Sequence, residues 1–401
     1  MTTKPFIIDG STLEGGGQIL RNTITYSALL GKPVTIRNIR TGRAQPGLKS
    51  QHAAGILLAA EICNASHSGV SIGSEQVTFV PRSKLPTSSS FTADALTAGS
   101  TTLLFQVALP ILLLASSSEP ITLTLKGGTN ALLAPQIDYT RHVFLPFLHT
   151  QFHLPSPSQI EIQVDRRGYY PRGGGQLTCT IQPLSGSPLS PINLLERGDL
   201  IGVEGVSHVK GLPLLLAKNM AKGAVSSLTS SSSLGEVQVD IKSVKEEPTP
   251  QGEKGAKAAG PGSGIVLWAG TSTGCLFGGS AVGKKGVDPG KVGAQAAEEL
   301  MRGLRWGSAE PVSQELAPNG EAQGRPCVDE YTQDQIIIFM ALAKGASAVR
   351  TGPLTLHTKT AIWVAEQMTD AKFDVTKEDA NGLCVIRCQG VGLAASQNLG
   401  R

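Results

Sequence analysis

The chain is poor in aromatic residues. Phe, Trp and Tyr together make up 4% of its 401 residues. That is too few for a protein that binds nucleic acid by stacking base after base on aromatic platforms. Charge of one sign is also scarce. The formal net charge of +4 permits a polyanionic partner, but it is not the strong basic footprint of a dedicated nucleic-acid binder. No stretch approaches the ~20 apolar residues of a membrane span. The longest apolar run, Leu103 to Ala115, includes Gln106 and Pro110 and reads as a buried helix, so no membrane partner is expected. The opening segment MTTKPFIIDGSTLEGGG lacks the apolar region and cleavage site of a secretory leader. The six cysteines (Cys63, Cys179, Cys275, Cys327, Cys384 and Cys388) form no C-x-x-C pair and have no histidine at zinc-finger spacing. They are expected to be free buried thiols in a reducing compartment. No Walker A loop occurs, which argues against a P-loop NTPase.

What the chain does contain is a dense glycine segment, Glu14-Gly15-Gly16-Gly17-Gln18-Ile19-Leu20-Arg21, echoed at Arg172-Gly173-Gly174-Gly175-Gln176-Leu177. Bare backbone amides can converge on an anion. Glu14 before the glycines and Arg21 after them would suit a metal and a phosphate. A glycine run alone more often marks a tight turn. The echo, which lacks the acid, favours an internally repeated fold.

Strand-like and helix-like segments alternate through the first half. Phe6–Asp9 reads as a strand, and Ile19–Leu30 as a helix with Gly31 as its C-cap. Val34–Ile39 is a strand, Gly47–Cys63 a helix and Gln76–Val80 a strand. Ser100–Leu114 is helical, Ile121–Leu125 a strand, Pro135–Leu148 helical, and Gln159–Val164 starts a strand. This recurrence argues for a repeated unit of one sheet and two helices. Composition changes near Ser185, and a separate α/β unit follows. The length allows two or three domains. The expected division is a large repeated domain at 1–187 and 285–401 with a smaller α/β domain inserted at 188–284. Two polar stretches, 246–263 and 308–325, read as loops, the first of them mobile.

Two further segments carry chemistry. Thr41 to His52, with Arg37 and Arg40, gathers cations around a loop that leads into a helix. A helix N-terminus favours anions, and arginine forks onto phosphate. The same residues could equally form a solvated basic loop. In Val349 to Thr360, His357 falls between a strand and a helix, where a side chain is presented rather than buried. It is one of seven histidines, so a structural role is open as well.

In chain order, EGGGQILR, RAQPGLKSQH, LKGGTNALLAPQIDY, RRGYYPRGGGQ, STGCLFGGSAVGKKG, VDEYTQDQ and RTGPLTLHTKTA together resemble the RNA 3′-terminal phosphate cyclase family. The resemblance spans nearly the whole chain; the two polar stretches depart from it. It implies an α/β fold with three repeated units in the large domain, each a four-stranded sheet with two helices, and a smaller α/β domain inserted. It also implies ATP-dependent conversion of an RNA 3′-phosphate to a 2′,3′-cyclic phosphate, with a divalent metal such as magnesium or manganese. The family's nucleophilic histidine falls on His357. Its nucleotide contacts fall on Gln106, Pro135, Tyr331, Asp334 and Gln335, and its metal-side glutamate on Glu14. Its phosphate-binding positions fall on Arg21, Arg40, Arg43, Gln51 and His52. The implied partner is RNA with a 3′-terminal phosphate, with no obligate protein partner. The implied place is intracellular, the nucleoplasm ahead of the cytoplasm.

Each position also has an ordinary reading. Tyr331, Asp334 and Gln335 could be one polar helix face. Gln106 could satisfy a buried backbone group, and Pro135 suits a first helical turn. Two rival functions remain open at this level. A non-catalytic ribosome-assembly relative shares the fold and lacks the histidine. An enolpyruvyl-transferase-like enzyme also repeats sheet-and-helix units, but it forms no histidine–AMP bond.

Overall fold

The computed structural model describes residues 4–82, 86, 88–230, 237–246, 260–305, 324–378 and 382–394. Of the two polar stretches, 247–259 and 308–323 lie outside the described residues. Four four-stranded sheets account for all the named strands.

The first unit runs β1 (Phe6–Asp9), α1 (Gly17–Leu30), β2 (Val34–Arg37), α2 (Ser50–Ile62), β3 (Ser66–Ser68) and β4 (Val77–Val80). Its strands lie in the order β1-β2-β4-β3, with β1 and β2 parallel and the other pairs antiparallel. Gly31 ends α1 in the left-handed region, φ 66°, where glycine carries no Cβ penalty.

The second unit repeats this pattern. It comprises β5 (Ser90–Asp94), α3 (Thr101–Leu113), β6 (Ile121–Gly127), a broken helix, β7 (Ile160–Arg166) and β8 (Gly175–Ile181). The broken helix is α4 (Ile137–Tyr139), a π-helical turn at Thr140–Phe144 and α5 (Leu145–Gln151). The order β5-β6-β8-β7 and the pairing directions match those of the first unit.

The third unit is interrupted. Its first strand is β9 (Asn193–Leu194). An inserted unit follows: β10 (Leu200–Lys210), α6 (Leu214–Thr229), β11 (Val239–Glu246), β12 (Gly262–Thr271), β13 (Leu276–Val282) and α7 (Pro289–Leu304). The third unit then resumes with α8 (Glu330–Gln335), α9 (Ile337–Leu342), β14 (Lys344–Thr351), α10 (Leu356–Met368), β15 (Lys372–Lys377) and β16 (Cys384–Val391). Asn193 and Leu194 pair in parallel with Ala348 and Val349, which restores the repeat as β9-β14-β16-β15.

This pairing moves both edges of the inserted unit away from 188–284. Asn193–Leu194 belongs to the third unit's sheet, and α7 packs chiefly on α6 and β13 of the inserted unit. The glycine echo also differs from expectation. Gly15–Gly17 leads from β1 into the start of α1, whereas Gly173–Gly175 leads from β7 into the start of β8, so the two runs occupy non-equivalent places. The repeat is real, but these glycines do not mark it.

The helices of the three repeats pack on one another, α1 against α2, α3 and α10, and α2 against α3. α3 is buried on nearly every side, as a helix that is apolar all round should be. Each leucine or phenylalanine it buries contributes about 1.5–3 kcal/mol. The six cysteines are all buried and none is in a disulfide. Among the described residues, no helix is long and apolar enough to cross a membrane.

The inserted unit depends on close helix packing. A Cβ on Gly293 of α7 would fall 1.9 Å from the Met220 carbonyl oxygen of α6. Gly293→Ala should therefore lower the urea midpoint, with a cost of about 1–3 kcal/mol from overpacking, against the usual helical gain of Gly→Ala of up to ~1 kcal/mol. A variant as stable as the parent would mean that the two helices part without cost.

Candidate active site

The chemistry-bearing loops follow parallel strands at their C-terminal ends, the common site position in open α/β sheets. The loop after β1 supplies Glu14 and leads to Arg21. The loop after β2 supplies Arg40 and Arg43 and leads to Gln51 and His52. The loop after β14 leads to His357 in the first turn of α10.

Glycine packs this site tightly. A Cβ on Gly16 would meet Glu14 Oε1 at 1.9 Å, and one on Gly17 would meet His52 Nε2 at 2.8 Å and Arg21 Nη1 at 3.0 Å. The glycines thus let an acid, a histidine and an arginine from two loops share one space. Arg43 donates from Nη2 to Glu14 Oε1 at 2.7 Å and to the Glu14 carbonyl oxygen at 2.8 Å. The Glu14 amide donates to Thr360 Oγ1 at 3.2 Å, which ties the glycine loop to α10. Glu14 Oε2 is buried and has no hydrogen-bond partner among the described residues.

The cations differ in what they hold. Arg21 donates to Gln18 Oε1, and Gln18 Nε2 donates to Asp334 Oδ2 at 2.9 Å. Burial lowers the Arg21 pKa, while Asp334 and Glu14 oppose the shift. Arg40 turns inward. Its backbone has φ 56°, and its Nη1 donates to the carbonyls of Gln45 at 2.7 Å and Gly47 at 2.9 Å. This arginine closes the basic loop on itself. Gln51 accepts at Oε1 from the Ser100 amide at 3.1 Å and joins α2 to the start of α3. Helices α1, α2 and α3 enclose a cleft with Leu20, Ile24 and Val107 on its apolar side and Arg21, Gln51 and His52 on its polar side.

Two histidines face this region in different states. His52 Nδ1 accepts from the Lys49 amide at 3.1 Å. Burial first, and then Arg21, Arg40 and Lys49, hold its pKa down to about 3. The ring is neutral with its proton on Nε2, on the side of Gly17 and Arg21. His357 lies in the first turn of α10, whose N-cap Thr355 accepts from the Thr358 amide. The residue is exposed, and its ring has no hydrogen bond among the described residues. Surrounding protein still removes enough water to lower its pKa; Glu14 opposes this, and Arg21 and Arg43 add to it.

The residues that the resemblance implies for the nucleotide converge on α8. Gln106 Nε2 donates to Gln335 Oε1 at 3.0 Å, and Gln335 Nε2 donates to the Tyr331 carbonyl at 2.8 Å. Tyr331 sets its ring edge-on to Tyr139, with centroids 5.6 Å apart. Burial raises Asp334 to about 7, against the pull of Arg21 and the Gln18 hydrogen bond. Pro135 precedes α4, and its carbonyl accepts from Thr102 Oγ1 of α3 at 2.8 Å. Tyr331, Asp334 and Gln335 thus have partners in different units and do not form a plain polar face.

The chain matches the RNA 3′-terminal phosphate cyclase family over residues 12–375. It belongs to the RNA 3′-terminal phosphate cyclase family. It is 38% identical over 393 residues to the RNA 3′-terminal phosphate cyclase of Drosophila melanogaster, covering 97% of each chain. The probable RNA 3′-terminal phosphate cyclase of Dictyostelium discoideum is 38% identical over 400 residues, covering 97% of this chain and 83% of that protein. The cyclase of Pyrobaculum neutrophilum is 37% identical over 385 residues, covering 96% of this chain and 98% of that protein. In this member of the cyclase family, Gln18 and Thr360 join the site as residues that sequence reasoning missed. Gln18 stands inside the conspicuous EGGGQ segment, but its reach to Asp334 is a tertiary contact without local signal.

A titration of the His357 ring by NMR should show a midpoint below the ordinary histidine value. Arg43→Ala removes a positive neighbour and frees Glu14, so the midpoint should rise. Glu14→Gln removes the opposing negative charge, so it should fall further. Equal midpoints in all three proteins would mean that His357 does not sense these groups.

Proposed function

We propose that this chain is an ATP-dependent RNA 3′-phosphate cyclase with His357 as its nucleophile. The difference between the two histidines carries this reading. His52 has its Nδ1 lone pair engaged by the Lys49 amide and its proton on Nε2, so it can donate but cannot attack. His357 is exposed, without a hydrogen bond among the described residues, and biased toward its neutral form. A neutral imidazole with a free lone pair is what covalent attack on phosphorus requires.

A phosphate monoester does not cyclise readily, because the oxygen it must expel is a poor leaving group. His357 solves this in two transfers. It attacks the α-phosphorus of ATP: a P–N bond forms, the P–O bond to the β-phosphate breaks, and pyrophosphate leaves with the electron pair. An oxygen of the RNA 3′-phosphate then attacks the same phosphorus, the P–N bond breaks, and the imidazole recovers its electron pair. The neighbouring 2′-hydroxyl attacks the activated 3′-phosphorus and loses its proton, and AMP departs. DNA lacks that hydroxyl and cannot complete the last step.

The chain's other side chains offset the charge of converging anions. Arg21, Arg43 and the Nε2–H of His52 offer donors where phosphates would meet. Arg40 and Gln51 hold the loops that present them. Gln106, Pro135, Tyr331, Asp334 and Gln335 would form the nucleotide side. Glu14 fits a divalent ion, since its buried Oε2 has no partner among the described residues. Among those residues no cluster of three or more His, Cys, Asp or Glu could hold a metal by itself. A magnesium-type ion suits this poverty, because it takes one or two carboxylates and completes its shell with phosphates and water. Bound there, such an ion would neutralise phosphate charge.

Incubation with α-labelled ATP should leave label on the protein, and His357→Ala should abolish both that label and RNA cyclisation while keeping the melting temperature. Normal labelling of the variant would sink the mechanism. Glu14→Ala should shift the metal titration of the labelling rate more than it weakens ATP binding; an unchanged titration would remove the metal role. Arg43→Ala should slow either labelling or transfer to RNA by roughly ten- to a hundredfold, the scale of one charge-assisted phosphate contact. If single-turnover rates of both steps match the parent, Arg43 serves only the Glu14 pair.

A further inference from the structure

We infer that Gln333 is a positioning residue for His357, and that through it one short helix governs both the nucleotide contacts and the nucleophile. The inference rests on the reading of His357 as the nucleophile.

Gln333 is fully buried, at 0% exposure, yet it lies between residues that face the nucleotide side. Both ends of its amide are used. Nε2 donates to Thr351 Oγ1 at 2.7 Å, with the carbonyls of Gly352 at 3.3 Å and Pro353 at 3.4 Å also in range. Oε1 accepts from the Thr355 amide at 3.0 Å and from Thr358 Oγ1 at 2.6 Å. The segment Thr351–Thr358, which carries His357, therefore folds around one side chain. Thr355 is also the N-cap of α10, accepting from the Thr358 amide at 3.0 Å, and its hydroxyl pairs with that of Thr358 at 2.9 Å.

The amide orientation is dictated by its surroundings. Turned over, its NH₂ would face the Thr355 N–H, and its oxygen would face two carbonyl oxygens. Glutamate would set a negative charge against those carbonyls, and an apolar residue would strand the Thr355 amide and the Thr358 hydroxyl. The side chain thus holds the end of β14 and the first turn of α10 in one relation. Its neighbours Asp334 and Gln335 reach Gln18 of α1 and Gln106 of α3. A displacement of α8 on the nucleotide side would carry the His357 segment with it.

The test uses the full chain and single-turnover attachment of labelled AMP. Misplacing a reacting atom by about 1 Å costs up to ~100-fold. Gln333→Ala and the near-isosteric Thr358→Val should therefore each slow attachment about ten- to a hundredfold. The ATP concentration at half-maximal rate should stay within about twofold, and Thr358→Ser, which keeps the hydroxyl, should recover most of the rate. Parental rates in Gln333→Ala and Thr358→Val, with His357→Ala silent, would overturn the positioning role and leave the nucleophile standing. Label on His357→Ala would instead overturn the nucleophile, and the positioning role with it. A loss that follows only the melting temperature, or appears only as weaker ATP binding, would also refute positioning. Thr358→Ser keeps that distinction available if Gln333→Ala fails to fold.

Discussion

The site depends on one six-residue helix being held from every side. Asp329, the N-cap of α8, accepts from the Tyr331 and Thr332 amides, from the Tyr139 hydroxyl of the second unit at 2.7 Å and from the Gly278 amide of the inserted unit at 2.8 Å. Glu330 pairs with Arg302 of α7. The Glu299 carboxyl of α7 lies close enough to Tyr331 to raise its pKa, second to burial. Gln333 holds the third unit, Asp334 meets the first, and Gln335 meets the second. A helix this short has almost no stability of its own, because nucleation costs more than so few internal bonds return. Its position is set by consecutive side chains that between them reach all four units. That arrangement explains why the third repeat can be split. The insertion enters just before α8, and the docked insert becomes one of the walls that hold it.

Around the glycine loop the balance is electrostatic. Arg21, Arg40, Arg43 and Lys49 surround one carboxylate, Glu14, and two histidines. The cations help keep His52 neutral and push His357 the same way. Glu14 restrains that push and is itself paired with Arg43 at 2.7 Å. In the proposed mechanism, phosphate binding and nucleophile activation would draw on the same charges: a site positive enough to attract anions would also disfavour the imidazolium form that could not attack.

The sequence made some of this legible and hid the rest for physical reasons. Local signals are reliable where backbone geometry demands a residue type. The Gly31 cap, the strand-to-helix setting of His357 and the glycine loop beside Glu14 are of that kind. The three-unit large domain followed from ordered motifs, not from periodicity. The inserted unit's edges were not legible because β9 is two residues long and its partner, at Ala348–Val349, lies beyond the whole insertion. Arg40 reads as a phosphate position by charge, while the use of its Nη1 on the Gln45 and Gly47 carbonyls has no local signal in the sequence. Gln18 and Gln333 carry no sequence signal, since a buried glutamine announces nothing until its partners are known.

The docking of the inserted unit follows from the same logic. Asp138 makes a two-pronged pair with Arg167, at 2.5 and 2.9 Å, and Arg167 also meets Glu246 of β11 at 2.7 Å. Lys210 of β10 donates to the Arg167 carbonyl at 3.0 Å, and His208 of the same strand bonds to the Tyr169 hydroxyl at 2.9 Å. Burial and Arg167 hold His208 down to about 3, neutral despite the nearby Asp138. A buried ionic network of this kind contributes little net stability against an apolar contact, because desolvation offsets the attraction, yet stripping one partner costs about 3–5 kcal/mol. It therefore penalises any misdocked arrangement far more than it rewards the correct one. That asymmetry matches the need at α8. The Gly278 amide and the Glu299 carboxyl must arrive in register for Asp329 and Tyr331 to be held, and a greasy, slippery interface would bind the insert without placing it.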